Sequence, residues 1–290
     1  MIQSRPNIFK FILALSLSSF VSAQEIDTNQ KISEDVVMPT KRRVIKVKTQ
    51  ALTVGPEFRN YKYSEPGFVS HEGILYGGNV EYYQSLRRPK YASEGQSVFG
   101  TAYSVDGQIL IGTLNYDGAL CDGLGNCEPY QAKTSDVIYR LNAKYHIQPN
   151  TRFSLQFGLG YRHLIDKGQG VGFYLRTGSW FYAPLTLEFK SPISKDMKFY
   201  LASEFDLILS GGIRSNLSEV DPNFSDVYMT QSGNGLILKT GAEFRSIRVN
   251  LIYETWTLNE SNQVESGGST FVEPKNSSQS LGVQLSYDFF

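Results

Sequence analysis

Residues 280–290 read Ser-Leu-Gly-Val-Gln-Leu-Ser-Tyr-Asp-Phe-Phe, and their alternation decides the fold. Successive side chains of an extended strand point to opposite faces. Leu281, Val283, Leu285, Tyr287 and Phe289 therefore share one face, and Ser280, Gly282, Gln284, Ser286 and Asp288 share the other. Such a strand separates an apolar environment from a polar one.

The same pattern recurs upstream. In 135–147, Val137, Tyr139, Leu141, Ala143, Tyr145 and Ile147 oppose Asp136, Arg140, Asn142, Lys144 and His146. In 152–162, Phe153, Leu155, Phe157, Leu159 and Tyr161 alternate with Arg152, Ser154, Gln156, Gly158, Gly160 and Arg162. In 198–210, Phe199, Leu201, Phe205, Leu207 and Leu209 oppose Lys198, Glu204 and Asp206. In 235–258 a near-turnless hairpin sets Leu236, Leu238 and Phe244 against Lys239, Glu243 and Arg245, then Ile247, Val249, Leu251 and Tyr253 against Arg248, Asn250 and Glu254. Ten strands are expected: 44–54, 73–85, 98–116, 135–147, 151–163, 171–190, 197–210, 234–245, 246–258 and 277–290. The Asp106-Gly107 pair is a hairpin signal that could split the third, and eight or twelve strands are the other even counts. Pro184 implies a bulge or a break in the ladder of the sixth. Residues 55–71, 117–133, 164–170, 211–231 and 259–275 read as the longer connections, and 148–150, 191–196 and 245–246 as short turns.

The outward face decides between a soluble and a membrane barrel. The strands are longer than the usual five or six residues, and their polar faces carry Arg, Lys, Asp and Glu of mixed sign that can pair across a narrow lumen. This favours a closed antiparallel transmembrane β-barrel, since only a closed sheet pairs every backbone group in hydrocarbon. A mean hydropathy of -0.26 fits, because half of each strand faces a polar interior. Lys and Arg total 28 and Asp and Glu 28, so no basic footprint points to nucleic acid.

The N-terminus reads as an export signal over 1–23. Arg5 and Lys10 precede the apolar Phe11 to Val21, and Val21-Ser22-Ala23 forms a small-x-small cleavage site before Gln24. Residues 24–43, ending in Lys41-Arg42-Arg43, read as a flexible periplasmic segment, and 44–290 as the barrel.

Together the signal, the amphipathic strands and the terminal Tyr-Asp-Phe-Phe resemble the outer-membrane β-barrel proteins of Gram-negative bacteria. In that group the last strand ends on an aromatic residue with apolar residues at alternate positions. Leu281, Val283, Leu285, Tyr287 and Phe289 match the alternation, and Phe290 matches the terminal aromatic one residue out of phase. The resemblance implies a location in the outer membrane with both termini periplasmic. It implies contacts with outer-membrane lipids, and with the barrel assembly machinery through the C-terminal strand.

Candidate chemistry is sparse. Cys121 and Cys127 flank a Gly-containing loop, and an oxidising compartment favours a disulfide between them. Asp117, Asp122, Asn126 and Glu128 offer oxygen ligands without EF-hand spacing. His146 falls near a short turn, and His71 and His163 near the opposite rim. Barrel-embedded proteases and lipid hydrolases use an Asp-His dyad or a lipid-facing His-Ser pair. His163 with Asp166 is the dyad that can be drawn here, without a second acidic pair or a nucleophile, and Ser154 and Ser203 have no patterned base. No catalytic, cofactor-binding or metal-ligating residue is assigned. The expectation is a monomeric barrel with exposed loops and a structural or small-solute, porin-like role. An embedded hydrolase acting on lipid or peptide at the outer rim is one alternative, and a surface adhesion or ligand-binding barrel is another.

Overall fold

The structure, a computed structural model, describes residues 44–46, 49–67, 69–87, 91–93, 99–121, 127–170 and 172–290. The expected signal peptide and the whole polar segment after it lie outside the described residues. Ten long antiparallel strands form the wall: β1 Gln50–Glu65, β2 Val69–Arg87, β3 Gly100–Cys121, β4 Cys127–Gln148, β5 Phe153–Gln169, β6 Leu175–Pro192, β7 Met197–Ser215, β8 Gly233–Phe244, β9 Ile247–Leu258 and β10 Asn276–Asp288. Each pairs with its neighbours in the chain, and β10 pairs with β1 to close the ring.

The wall is inverted relative to a soluble barrel. Tyr139, Leu141 and Tyr145 on β4 are exposed, while Arg140, Asn142, Lys144 and His146 between them are buried. Leu159 is 64% exposed and Leu187 63%, whereas Glu57 and Asp206 are 0% exposed. An apolar exterior over a charged interior is stable only where the exterior meets hydrocarbon. Strands of 12 to 22 residues exceed the roughly 9–11 needed to cross a bilayer, so several project beyond it.

At one end, here the turn end, β4 joins β5 through 149–152, β6 joins β7 through 193–196, and β8 joins β9 through Arg245 and Ser246. Arg245 sits at a φ of 54°, as so tight a reversal requires. Gln50 and Asp288 lie at this end too. At the opposite, loop end, residues 216–232 and 259–275 fold over part of the rim. Val227–Thr230 pairs with the end of β7, and Val264–Ser266 pairs with Ser269–Phe271. Ile213, Leu217, Val227 and Met229 form a small apolar core there, with Phe224 and Phe271 packed against it. Asp226 receives hydrogen bonds from Ser218 and Arg214, which hold its carboxyl below the usual range.

Several expected boundaries are corrected. The first wall strand runs over 50–65 rather than 44–54. Val44–Lys46 pairs instead with Tyr91–Ser93 in a separate ribbon. Residues 55–65 and 69–71, expected as loop, are strand, joined by a short turn. The ladder between β1 and β10 skips Gly55-Pro56, because Pro56 has no N–H to donate. Residues 117–133 and 164–170 are also mostly strand. Asp106-Gly107 stays within β3, which settles the count at ten. The break expected at Pro184 is present, since the β5–β6 register skips Ala183-Pro184. A bulge lies nearby, where Phe181 pairs with Ser210 but Tyr182 with Ile208. It flips the phase of β7 and turns Ile213 and Ser215 inward.

Candidate functional site: the barrel lumen

The lumen is layered. Nearer the turn end, buried charges form a continuous chain across the barrel. Arg59 pairs with Glu57 and, at 2.7 Å, with Glu254. Arg140 meets Glu254 at 3.4 Å and Glu204 at 2.7 Å. Lys144 meets Glu204 at 2.5 Å and Asp106 at 3.6 Å. These groups stand on β1, β3, β4, β7 and β9, so the chain reaches from one wall to the one facing it. Burial makes such groups tolerable only when paired, and narrow closure is what brings opposite walls within reach. Gln108 adds hydrogen bonds of 2.9 Å to both oxygens of Glu57. Beside this chain lies a cavity of about 70 Å³, bordered by Asn79, Ser104, Lys144 and Tyr200. It has room for a few waters.

Toward the loop end comes an aromatic layer of Tyr61, Trp180, Tyr182 and Trp256, packed with Leu75 and Leu110. Arg162 lies between the two indoles, its guanidinium carbon 5.5 Å from the ring of Trp180 and 5.0 Å from that of Trp256, a cation–π arrangement. Tyr182 donates to Asn142 at 2.5 Å, and Trp256 donates to Glu254 at 2.7 Å, tying this layer to the charged one. Glycines on the lumenal face make room for the rings. A Cβ on Gly160 would overlap Tyr182, and one on Gly235 would stand 2.9 Å from Trp256.

Beyond the aromatic layer a chamber of about 250 Å³ opens at the loop end. His71, Asp166, Arg176, Glu65 and Glu273 border it, with Tyr116 and Phe173. Arg176 pairs with Glu273, with Glu65 at 3.7 Å and with Asp166 at 3.9 Å. Asp136 and Asp166 are direct partners across β4 and β5.

The expected site residues are redistributed by this geometry. His163 and Asp166 are three apart on one strand, so they face opposite ways: Asp166 enters the lumen and His163 lies on the outer face. His163 Nδ1 is 2.7 Å from Ser179 Oγ, with Tyr161 OH at 3.2 Å. Ser154 is buried, and its hydroxyl has no hydrogen-bond partner among the described residues. His146 is lumenal, 2.8 Å from Ser104. Cys121 and Cys127 stand opposite each other at the ends of β3 and β4. The grouping of His71 with Asp136 and Asp166, and the partnership of Ser179 with His163, were both missed from sequence. Cross-strand register carries the second, and the stagger of the barrel carries the first.

Fold and lumen together define a membrane-spanning antiparallel β-barrel of ten strands with ion pairs and aromatic rings across its interior. No protein-family model matches the chain, and no curated protein is similar to it by sequence. Among solved structures it is similar in fold to the outer membrane protease OmpT from Escherichia coli, at 12% identity over 83% of this chain and 95% of that one, TM-score 0.40. It is also similar to the translocator domain of the autotransporter NalP from Neisseria meningitidis, at 12% identity over 82% and 88%, TM-score 0.40. A third is the β domain of the Bordetella autotransporter BrkA, at 8% identity over 81% and 99%, TM-score 0.39.

Proposed function

We propose that this chain is an integral barrel of the Gram-negative outer membrane, closed to solutes, whose work is done at its loop-end chamber and exposed loops. The observation that carries the reading is the wall-to-wall Arg59–Glu254–Arg140–Glu204–Lys144 chain beneath a layer of packed aromatic rings. A water-filled path would need both layers to part. In this reading the short turns and both ends of the wall face the periplasm and the loop end faces outward, following the usual rhythm of such barrels. The C-terminal strand offers the assembly machinery its alternating apolar face, and the chain acts as a monomer with lipid around it.

The test is single-channel recording of the refolded chain in a planar bilayer, after a heat-modifiable gel shift has established folding. A silent membrane is the expected result. Stable ion-selective steps would overturn closure and favour small-solute passage, with the lumenal charges as the selectivity elements.

A second reading, an embedded lipid hydrolase, is favoured by one contact. Ser179 and His163 are hydrogen-bonded on the outer face among Tyr139, Tyr161 and Phe181, where interfacial aromatics gather. A nucleophile with its base is the core of such a site. Among the described residues no carboxylate hydrogen-bonds to His163 to orient it. Covalent labelling of Ser179 by a lipid-soluble fluorophosphonate, lost in Ser179→Ala, would support this reading.

A further inference from the structure

We propose that His71, Asp136 and Asp166 form a binding site for a divalent transition metal ion, zinc in the first instance, at the floor of the loop-end chamber. One ring nitrogen and one oxygen from each carboxylate lie within 4.8 Å of one another. All three residues are more than nine-tenths buried, at 3%, 3% and 7% exposure.

Three observations point to a ligand rather than to a self-contained cluster. First, His71 Nε2 and Asp166 Oδ1 are buried with no hydrogen-bond partner among the described residues. Buried polar atoms are normally satisfied, and exceptions call for a cause. Second, the other atoms of the set are held as a metal site holds its ligands. The Thr134 hydroxyl donates to Asp136 Oδ1 at 2.8 Å and lies 3.5 Å from His71 Nδ1. With Nδ1 protonated toward Thr134, the lone pair of His71 falls on the unpartnered Nε2. Such an outer contact fixes the tautomer of a ligating imidazole. Third, the charge is unbalanced. Asp136 and Asp166 face each other across the ladder, where like charges repel. Glu65 and Glu273 adjoin them; among the described residues Arg176 is the guanidinium ion-paired to this group, and Arg162, set between the two indoles, lines the same pocket. A bound dication balances what Arg176 leaves uncompensated.

The donor set narrows the choice of ion. One imidazole with two carboxylates suits zinc or manganese and does not suit the thiolate-seeking metals. Ligands about 2.1 Å from a tetrahedral ion stand about 3.4 Å apart, so the side chains close slightly on binding. Three protein ligands leave a coordination position free. His71 and Asp166 border the open chamber, and all three ligands line a smaller pocket of about 20 Å³ with Arg162 and Trp180. The test of the site reads bound ion and not conductance, so its outcome is distinct from whether the lumen below is closed or conducts.

The test is zinc titration of the refolded full-length mature barrel, read by calorimetry, with the cobalt absorption spectrum as the report on coordination. Folding is checked each time by the heat-modifiable gel shift. One ion per barrel is expected, with a cobalt spectrum of nitrogen and oxygen ligation. His71→Gln and Asp166→Asn should each weaken zinc by at least about tenfold, the scale of disturbing a metal ligand or its support. His163→Gln, on the outer face, should leave binding unchanged. Absence of binding by the folded wild-type barrel overturns the proposal. So does binding that survives in both His71→Gln and Asp166→Asn, or that disappears in His163→Gln. Should the lumenal variants not fold, the wild-type stoichiometry and cobalt spectrum decide alone.

Discussion

Arg140 is where the charged layer is most exposed to a single substitution. It lies 2.7 Å from Glu204, 3.4 Å from Glu254 and 4.0 Å from Asp206, and donates to Tyr182 at 3.2 Å. Replacing it with Leu does not strand the three acids equally. Glu204 keeps Lys144, and Glu254 keeps Arg59. Asp206 keeps no ion pair among the described residues, where both its oxygens already lack a hydrogen bond. Removing one partner of a buried pair costs about 3–5 kcal/mol. The lower end applies, because two acids retain cations and the adjoining cavity lets water in. The expected loss is about 3 kcal/mol, roughly 150-fold in the folding equilibrium. Reversible urea unfolding in detergent micelles measures it. Fluorescence is a direct reporter, since both tryptophans of the chain, Trp180 and Trp256, lie in the lumen. The double variant Arg140→Leu with Asp206→Leu removes the stranded charge together with its partner and should recover at least half of the loss, since apolar replacement of a buried pair is often close to neutral. A loss below about 1 kcal/mol, the size of an ordinary substitution, would refute the network argument. Strict additivity of the two single variants would refute it as well.

Gly160→Ala should destabilise by about 1–3 kcal/mol. Its Cβ would overlap the Tyr182 ring and come within 2.6 Å of Asn142 Oδ1, and Tyr182 is pinned by its hydrogen bonds. Unfolding midpoints compared with those of Gly158→Ala separate the ring clash from backbone crowding. Leu159→Arg places a charge on the 64% exposed outer face and should cost about 2–4 kcal/mol if Leu159 lies near the bilayer midplane. The same substitution in a detergent-free soluble fold would be tolerated, so the loss in refolding yield into vesicles tests the orientation of the wall. Cys121 and Cys127 should be bridged in the exported protein, seen as absent thiol labelling before reduction. Because the loop they close is short, Cys127→Ser should cost at most about 2 kcal/mol.

The faces of 137–147, 153–162 and 281–289 were legible because lipid demands an unbroken apolar row. One misplaced polar residue there is expensive, so the alternation stays clean. The first strand was harder to read for the opposite reason. Gly55-Pro56, Glu57, Arg59, Asn60 and Lys62 have the composition of a loop. In a barrel with a charged interior that composition also describes a strand, and Glu57 and Arg59 belong to the most buried part of the wall. Asp106-Gly107 misleads in the same way. Asp106 receives a hydrogen bond from Asn142 at 2.7 Å inside the lumen, so a turn-forming residue is satisfied within a strand.

Proximity across the barrel is a different matter. His71, Asp136 and Asp166 lie on β2, β4 and β5. Nothing in their spacing links them, because the stagger between strands sets which residues share a level. The inverted design makes such meetings consequential. A soluble core can fill its centre with apolar side chains and leave no group wanting a partner. Here the exterior has taken most of the apolar residues, and the inward polar groups depend on charge, hydrogen bond or aromatic ring for their matching. In the layer of Arg59, Arg140 and Lys144 that matching reaches across the wall, and in the layer of Trp180 and Trp256 it is made by stacking around Arg162. At the loop end, among the described residues, Arg176 is the cation ion-paired to Glu65, Asp166 and Glu273, and Asp136 stands opposite Asp166. There carboxylates outnumber the cation paired to them, beside a chamber roomy and open enough to admit an ion from outside.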